Sequence, residues 1–397
     1  MSLISNPPAL VSIFLTGALL ALSASAAVSV EDRLARLEQR VEALVKENGD
    51  LKKQLGWKGS VPALLPSVDG KESKLSIGGF LQGQAEFGHA ADPRWAGVRD
   101  RFFFRRARLH MAGTFAEDFD FKAELDLQGN TLSAGTGQLA RANEIFINWH
   151  KYDFANVRFG QLKPAFGGEA LASDTKIFTI ERSLSSDRLA DGRQLAVGVM
   201  GDLLGKKLSY LAVVAEGNGA NVSANDNSHF QKSVRVAFTP IATASDKLTL
   251  ALDGLWSTDA GVAKSDFGFS GNLFSGQRTM QGVDFGWTHG LGELNFELLQ
   301  GTFQPTSAIP FRKFHAEGWQ ATAAYYLVPA VLQAVVREEE FQPNTALGGN
   351  ALRTSTFGLN YYLKGQDIKF MLDYLDGHVP GSTTDGGRLL SRVQIIF

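Results

Sequence analysis

From Lys74 to the last residue, Phe397, the sequence alternates in polarity with a period of two. In Phe119–Gln128, the residues Phe119, Phe121, Ala123, Leu125 and Leu127 share one face, and Asp120, Lys122, Glu124, Asp126 and Gln128 share the other. Successive side chains of a strand point to opposite sides, so this pattern describes strands with one apolar and one wet face. The split recurs in Leu248, Leu250 and Leu252 against Lys247, Thr249 and Asp253, and in Ile368, Phe370, Leu372 and Tyr374 against Lys369 and Asp373. About sixteen such segments of about ten residues are present, the length a membrane-crossing strand needs. A soluble sandwich also alternates. The connections separate the two cases.

Short links at Ala116–Asp118, Lys151–Tyr152, Asp202–Lys206, Pro240–Asp246, Gly290–Gly292, Val328–Pro329 and Lys364–Gln366 alternate with long ones. The long ones are His89–Asp100, Gly129–Ala140, Pro164–Gly192, Glu216–His229, Thr258–Gln277, Gln304–Arg312, Gln342–Ala351 and Gly377–Gly386. Strict alternation over an even strand number predicts an all-β, up-and-down transmembrane barrel over 74–397, with its short turns and both chain ends on the periplasmic side. The chain ends with Val393, Ile395 and Phe397 on one face against Arg392 and Gln394 on the other. A terminal aromatic of this kind resembles the ending of bacterial outer-membrane proteins.

The mean hydropathy of −0.07 agrees with alternating strands. Only one apolar stretch approaches a spanning helix: Leu10–Leu22, followed by the small-x-small sequence Ala24, Ser25, Ala26. It reads as a signal peptide over 1–26, although no Lys or Arg precedes it. Next, Val30, Leu34, Leu37, Val41, Leu44, Asn48, Leu51 and Leu55 recur at spacings of four and three. This heptad seam predicts a periplasmic coiled-coil helix over 27–56, with Leu34, Leu37, Val41, Leu44, Asn48 and Leu51 joining protomers and polar Asn48 fixing register. The alternative is a lone amphipathic helix packed on its own barrel. A linker over 57–73 follows, containing Pro62 and Pro66.

Balanced charge, 39 basic against 41 acidic residues, gives no global case for nucleic acid. The absence of cysteine removes thiolate metal sites, disulfides and cysteine nucleophiles. No HExxH, GxSxG or P-loop is present, and the seven histidines have no metal-ligand spacing, so neither catalysis nor a cofactor or metal is expected. A barrel hydrolase using His110 or His150 is the minor enzymatic reading.

Side chains fill an eight-stranded barrel but not one of sixteen, so a water-filled channel is the default. Pro164–Gly192 carries Ile177, Phe178, Ile180 and Leu184 beside Glu181, more apolar surface than an exposed loop needs. It is expected to fold inward as a constriction, or else to pack at a subunit contact. Arg106, Arg108 and His110 share the wet face of the second strand, while Arg105 has the other parity. Arg105 therefore lies at the rim, or a bulge turns it inward. Arg158, Arg235 and Arg392 also fall on wet faces. These arginines either attract anions or simply pair with lumen carboxylates such as Glu124, Asp126 and Glu144. The run Glu338, Glu339, Glu340 reads as a solvated rim.

Three stretches, FFFRRARL at Phe102–Leu109, FGQLKPAFGGE at Phe159–Glu169 and SDTKIFTIERSL at Ser173–Leu184, resemble the porin O/P family of phosphate- and pyrophosphate-selective outer-membrane porins. The resemblance implies a sixteen-stranded barrel, a homotrimer and anion uptake, with Arg105, Arg106 and Lys176 in the anion path. Three features depart from the phosphate specialists. Thr258–Gln277 holds Lys264 in place of an arginine ladder, Asn143 stands where the family has an acidic throat residue, and Asp120 stands where the specialists are basic. The expectation is an outer-membrane porin for small hydrophilic solutes that prefers anions, phosphate and related oxyanions among them. The expected partners are membrane lipid, permeant anions and two further copies of the chain. The alternative is a structural tether spacing the membrane from peptidoglycan through the coiled coil.

Overall fold

The computed structural model describes residues 39–40, 74–128, 140–307, 312–377, 379 and 386–397. The signal peptide, the linker and all the heptad residues lie outside this set; within it, Gln39 and Arg40 are helical. The strands in chain order are β1 (Lys74–Gly88), β2 (Arg101–Phe115), β3 (Phe119–Asp126), β4 (Arg141–Tyr152), β5 (Ala155–Leu162), β6 (Gln194–Leu203), β7 (Leu208–Ala215) and β8 (Gln231–Ala242). They continue as β9 (Asp246–Ala263), β10 (Leu273–His289), β11 (Gly292–Pro305), β12 (Phe314–Val328), β13 (Leu332–Gln342), β14 (Leu352–Lys364), β15 (Ile368–Gly377) and β16 (Gly386–Ile396). Each pairs antiparallel with its sequence neighbour, and β16 returns to β1, closing a sixteen-stranded barrel. Closure reaches the final residue: Gly79 N–H donates to Phe397 C=O at 2.9 Å, and Phe397 N–H donates to Gly79 C=O at 3.0 Å. A closed ladder leaves no strand edge exposed to lipid.

The alternation predicts which side chains face out. Ile145, Ile147, Leu250, Leu252, Phe370 and Leu372 are exposed on the outer surface, whereas their wet-face neighbours Asp253, Lys369 and Asp373 are buried inside. The strands depart from the sequence periodicity in two places. First, β9 and β10 run past their expected ends, so the connection expected at Thr258–Gln277 shrinks to 264–272. There the outward residues Thr258, Gln277 and Thr279 are polar, so the apolar period fades although the ladder continues. Second, Glu338, Glu339 and Glu340 lie within β13 and not on a rim. Glu339 is buried in the lumen, while Glu338 and Glu340 point outward and meet Ser355 and Arg353 of β14.

The chain from 163 to 193, between β5 and β6, folds into the barrel and carries two short helices, α1 (Gly168–Leu171) and α2 (Leu184–Leu189). Its apolar residues explain the inward course. Phe166, Leu184 and Leu189 join a buried cluster with lumen-facing Leu255, Phe274, Met280, Leu299, Phe303 and Phe341 of β9–β13. Ile180 joins a second cluster with Trp95 of the β1–β2 loop and Met371, Leu375 and Leu390 of β15 and β16. Loop and wall thus share an apolar core on the β9–β16 side of the barrel. The lumen is left open toward β2–β7.

A charged constriction beside the inward loop

Two loop carboxylates hold the lumen arginines. Asp174 meets Arg108 at 2.6 Å, Arg106 at 3.3 Å and Arg182 at 2.5 Å. Glu181 meets Arg105 at 2.8 Å and Arg392 at 2.6 Å. Burial opposes the charge on each. Even so, Arg106, Arg182 and Arg108 keep the Asp174 carboxyl well below the usual range, and Arg105, Arg392 and Arg106 do the same for Glu181. Arg105 and Arg106 can both face inward because the β1–β2 register skips a residue, passing from Gln82↔Arg106 to Gly83↔Phe104. Arg105 is the bulge residue, which decides between the two placements its parity allowed.

Backbone groups of the loop are also held by the wall. Ile180 N–H donates to Asp373 Oδ2 at 2.5 Å, Leu184 N–H to Glu339 Oε1 at 3.2 Å, Gly167 N–H to Asp253 Oδ2 at 3.0 Å and Glu169 N–H to Glu297 Oε1 at 3.1 Å. Arg337 donates to Thr179 Oγ1 at 2.6 Å and to the Glu181 carbonyl at 2.8 Å. These contacts leave the loop nowhere to swing without orphaning buried polar groups, each costing roughly 1–3 kcal/mol.

The remaining sequence-derived residues separate into two kinds. Arg235 is paired, meeting Asp253 at 2.7 Å and Asp284 at 2.5 Å. Arg158 has no ion-pair partner among the described residues; its guanidinium lies 4.1 Å from the centroid of the Phe146 ring, and its Nε makes no hydrogen bond. Lys176 is exposed on the far side of the loop, where a cavity of about 170 Å³ also touches Arg235, Asp284 and Glu297.

A larger cavity of about 370 Å³ lies between the loop and the β2–β7 wall. Five cations line it, Arg108, Lys122, Arg158, Lys163 and Arg193, against three carboxylates, Glu124, Glu144 and Asp174. Lys122 meets Glu124 at 2.9 Å and Glu144 at 2.8 Å, and Arg193 meets Glu144 at 2.9 Å. Lys163 differs: its Nζ donates to the carbonyls of Ala170 at 2.5 Å and Ala172 at 3.4 Å, with no carboxylate partner among the described residues. Burial, then the fields of Arg182 and Arg193, bring its ammonium down to about 7. Asn143, the bulge residue of β4, donates its side-chain amide to Glu124. Sequence reasoning missed Lys122, Lys163 and Arg193 as site residues. The signals were present, since Lys122 sits on the wet face of Phe119–Gln128 and Lys163 lies inside FGQLKPAFGGE.

The sequence model described as phosphate-selective porin O and P matches residues 84–395. Porin O of Pseudomonas aeruginosa is 25% identical over 185 residues, covering 46% of this chain and 41% of that protein. The chain thus aligns with about two-fifths of that relative. Among solved structures it is similar to an anion-selective porin from Comamonas acidovorans, with TM-score 0.55, 13% identity, and 82% of this chain and 100% of that chain covered. It is also similar to OmpT, an outer-membrane protein of Vibrio cholerae in a trimer form, with TM-score 0.54, 10% identity, and 82% and 99% covered. Both structural likenesses concern the fold. Fold and family together place the barrel in a bacterial outer membrane. With the match running over nearly all sixteen strands, this chain belongs to the phosphate-selective porin O and P family.

Proposed function

We propose that the protein is a homotrimeric outer-membrane porin through which small hydrophilic solutes diffuse passively, with anions preferred. The observation that carries the preference is the pair Arg158 and Lys163, two cations without a carboxylate partner among the described residues, on one open cavity. Arg105, Arg106, Arg108, Arg235 and Arg392 hold carboxylates and so position the loop and the wall. Arg158 and Lys163, and Lys176 at the smaller cavity, meet the permeant. Family and fold are those of a channel and give no support to an enzyme. The anion selectivity named for the Comamonas porin and the trimer form of OmpT support the two finer parts of the reading.

No arginine ladder for inorganic phosphate comes from the 264–272 connection, which supplies Lys264, itself engaged by Asp191 at 2.7 Å. Residues 1–26 serve as the export signal, 27–56 as a periplasmic coiled coil registered by Asn48, and 57–73 as its linker to the barrel; peptidoglycan is a candidate contact for that helix. The test is the reversal potential of the purified protein in a planar bilayer under a potassium chloride gradient. Anion preference is expected. A potential of zero or of cationic sign overturns it.

A further inference from the structure

The wall that carries Arg158 also turns apolar side chains toward the cavity. β5, β6 and β7 turn Leu162, Met200, Leu211 and Val213 into the lumen, and Phe146 of β4 adjoins them. Elsewhere in the barrel, apolar lumen residues are covered by the inward loop, as Phe303 and Leu390 are. Here Ala165 of the loop packs with buried Leu162 and Val213, while Met200, Leu211 and Phe146 border the open 370 Å³ cavity and remain partly accessible. A path evolved only for a hydrated inorganic ion gains nothing from apolar lining, because such a surface offers no replacement for the ion's water. A concave space of this size that sets an apolar strip beside convergent charges can hold a small molecule with a charged head and an apolar body.

We propose that the cavity selects monoanions with an apolar body, aromatic or alicyclic carboxylates, binding the head at Arg158 and Lys163 and the body against Phe146, Met200 and Leu211. The inference rests on the anion-preferring pore proposed above and adds the chemical class of the anion. The head gains charge-assisted contacts with two cations that no protein carboxylate satisfies. The body covers apolar surface that otherwise faces water, at about fourfold in affinity per methylene sheltered.

Cyclohexanecarboxylate and quinate test this directly, since they share a ring and a carboxylate and differ in ring hydroxyls. Their relative permeabilities are read from bi-ionic reversal potentials with the full-length protein, alongside the chloride-to-potassium ratio. Cyclohexanecarboxylate is expected to pass several-fold more readily than quinate. Met200→Gln together with Leu211→Asn should bring that ratio to about one while leaving the chloride-to-potassium ratio in place. Equal permeability of the two acids in the wild-type protein, with chloride still preferred over potassium, overturns the inference and leaves the anion pore standing. Loss of chloride preference itself instead removes the reading beneath it. A wall that merely dries the pore would slow both acids alike, which also counts against the proposal. Should the double variant fail to give a heat-modifiable barrel band, Met200→Gln alone, close in shape, and the wild-type comparison still decide.

Discussion

Neutralising Arg158 should change ion preference far more than neutralising Arg106, although both are lumen arginines. Arg158 has no ion-pair partner among the described residues, so its field at the permeating ion is offset only by the more distant Asp120 and Glu144. A unit charge about 4 Å away contributes roughly 1 kcal/mol at the dielectric of water and about 4 kcal/mol at an effective value near 20. A narrow aqueous throat lies between these limits, so even at the lower value Arg158→Gln should cut anion entry about fivefold and raise cation entry by a similar factor. Arg106 stands 3.3 Å from Asp174, and the pair presents a dipole. When Arg106 is removed, Asp174 still has Arg108 at 2.6 Å and Arg182 at 2.5 Å. Arg106→Gln should therefore shift the ratio by less than about twofold. The assay is the reversal potential across a bilayer in potassium chloride near 0.1 M, where the Debye length is about 10 Å, repeated near 1 M, where it is about 3 Å. The Arg158 effect should shrink at the higher salt. If Arg106→Gln shifts the potential as much as Arg158→Gln does, the division between structural and permeant-facing arginines is wrong.

Lys163 is charged below its lowered value of about 7 and neutral above it, so anion preference should fall as pH rises from about 6 to 8, and Lys163→Met should remove that step from the reversal-potential profile. Asp174→Asn leaves Arg106 and Arg182 without their carboxylate beside Arg108, which keeps Asp126 at 2.9 Å, and should cost about 3–5 kcal/mol of stability, read as a lower temperature for loss of the folded gel band. Ile180→Asp with Leu184→Asp places charges in two apolar clusters at residues 0% and 2% exposed, and the loop should leave the wall and raise single-channel conductance; unchanged conductance would place the constriction elsewhere. Deleting Val30–Leu55 should spare the heat-modifiable barrel and weaken the oligomer, as measured by crosslinking, because barrel stability resides in its closed ladder.

The architecture could be read from the chain because lipid outside and water inside impose opposite polarity on neighbouring residues. That requirement is local, repeated in every strand, and ends only where strands leave the membrane. β9 and β10 illustrate the limit: once Thr258, Gln277 and Thr279 face outward, both faces are polar and the period ends before the ladder does. The run at Glu338–Glu340 follows the same rule, since outward Glu338 and Glu340 sit where the outer surface is polar and are satisfied by Ser355 and Arg353. Arg105 posed a different difficulty. A bulge inverts parity at one residue, and alternation alone offers two answers until pairing shows which partner was skipped.

Which lumen cations are free to meet a solute is a question of pairing, and pairing depends on a loop crossing the barrel. Arg106 and Arg158 look alike in sequence, each on a wet face, each beside an aromatic-rich stretch. What separates them is that Asp174 and Glu181, carried across the lumen by apolar residues such as Ile180 and Leu184, reach the β1–β2–β16 wall and not the β5 wall. The apolar content of the loop thus decides the electrostatics of the pore: it fixes which arginines become struts and which remain open to the permeant. On this argument, transferring anion selectivity between members of the family requires moving the loop carboxylates as well as the arginines. Adding arginines opposite Asp174 or Glu181 would only tighten the loop.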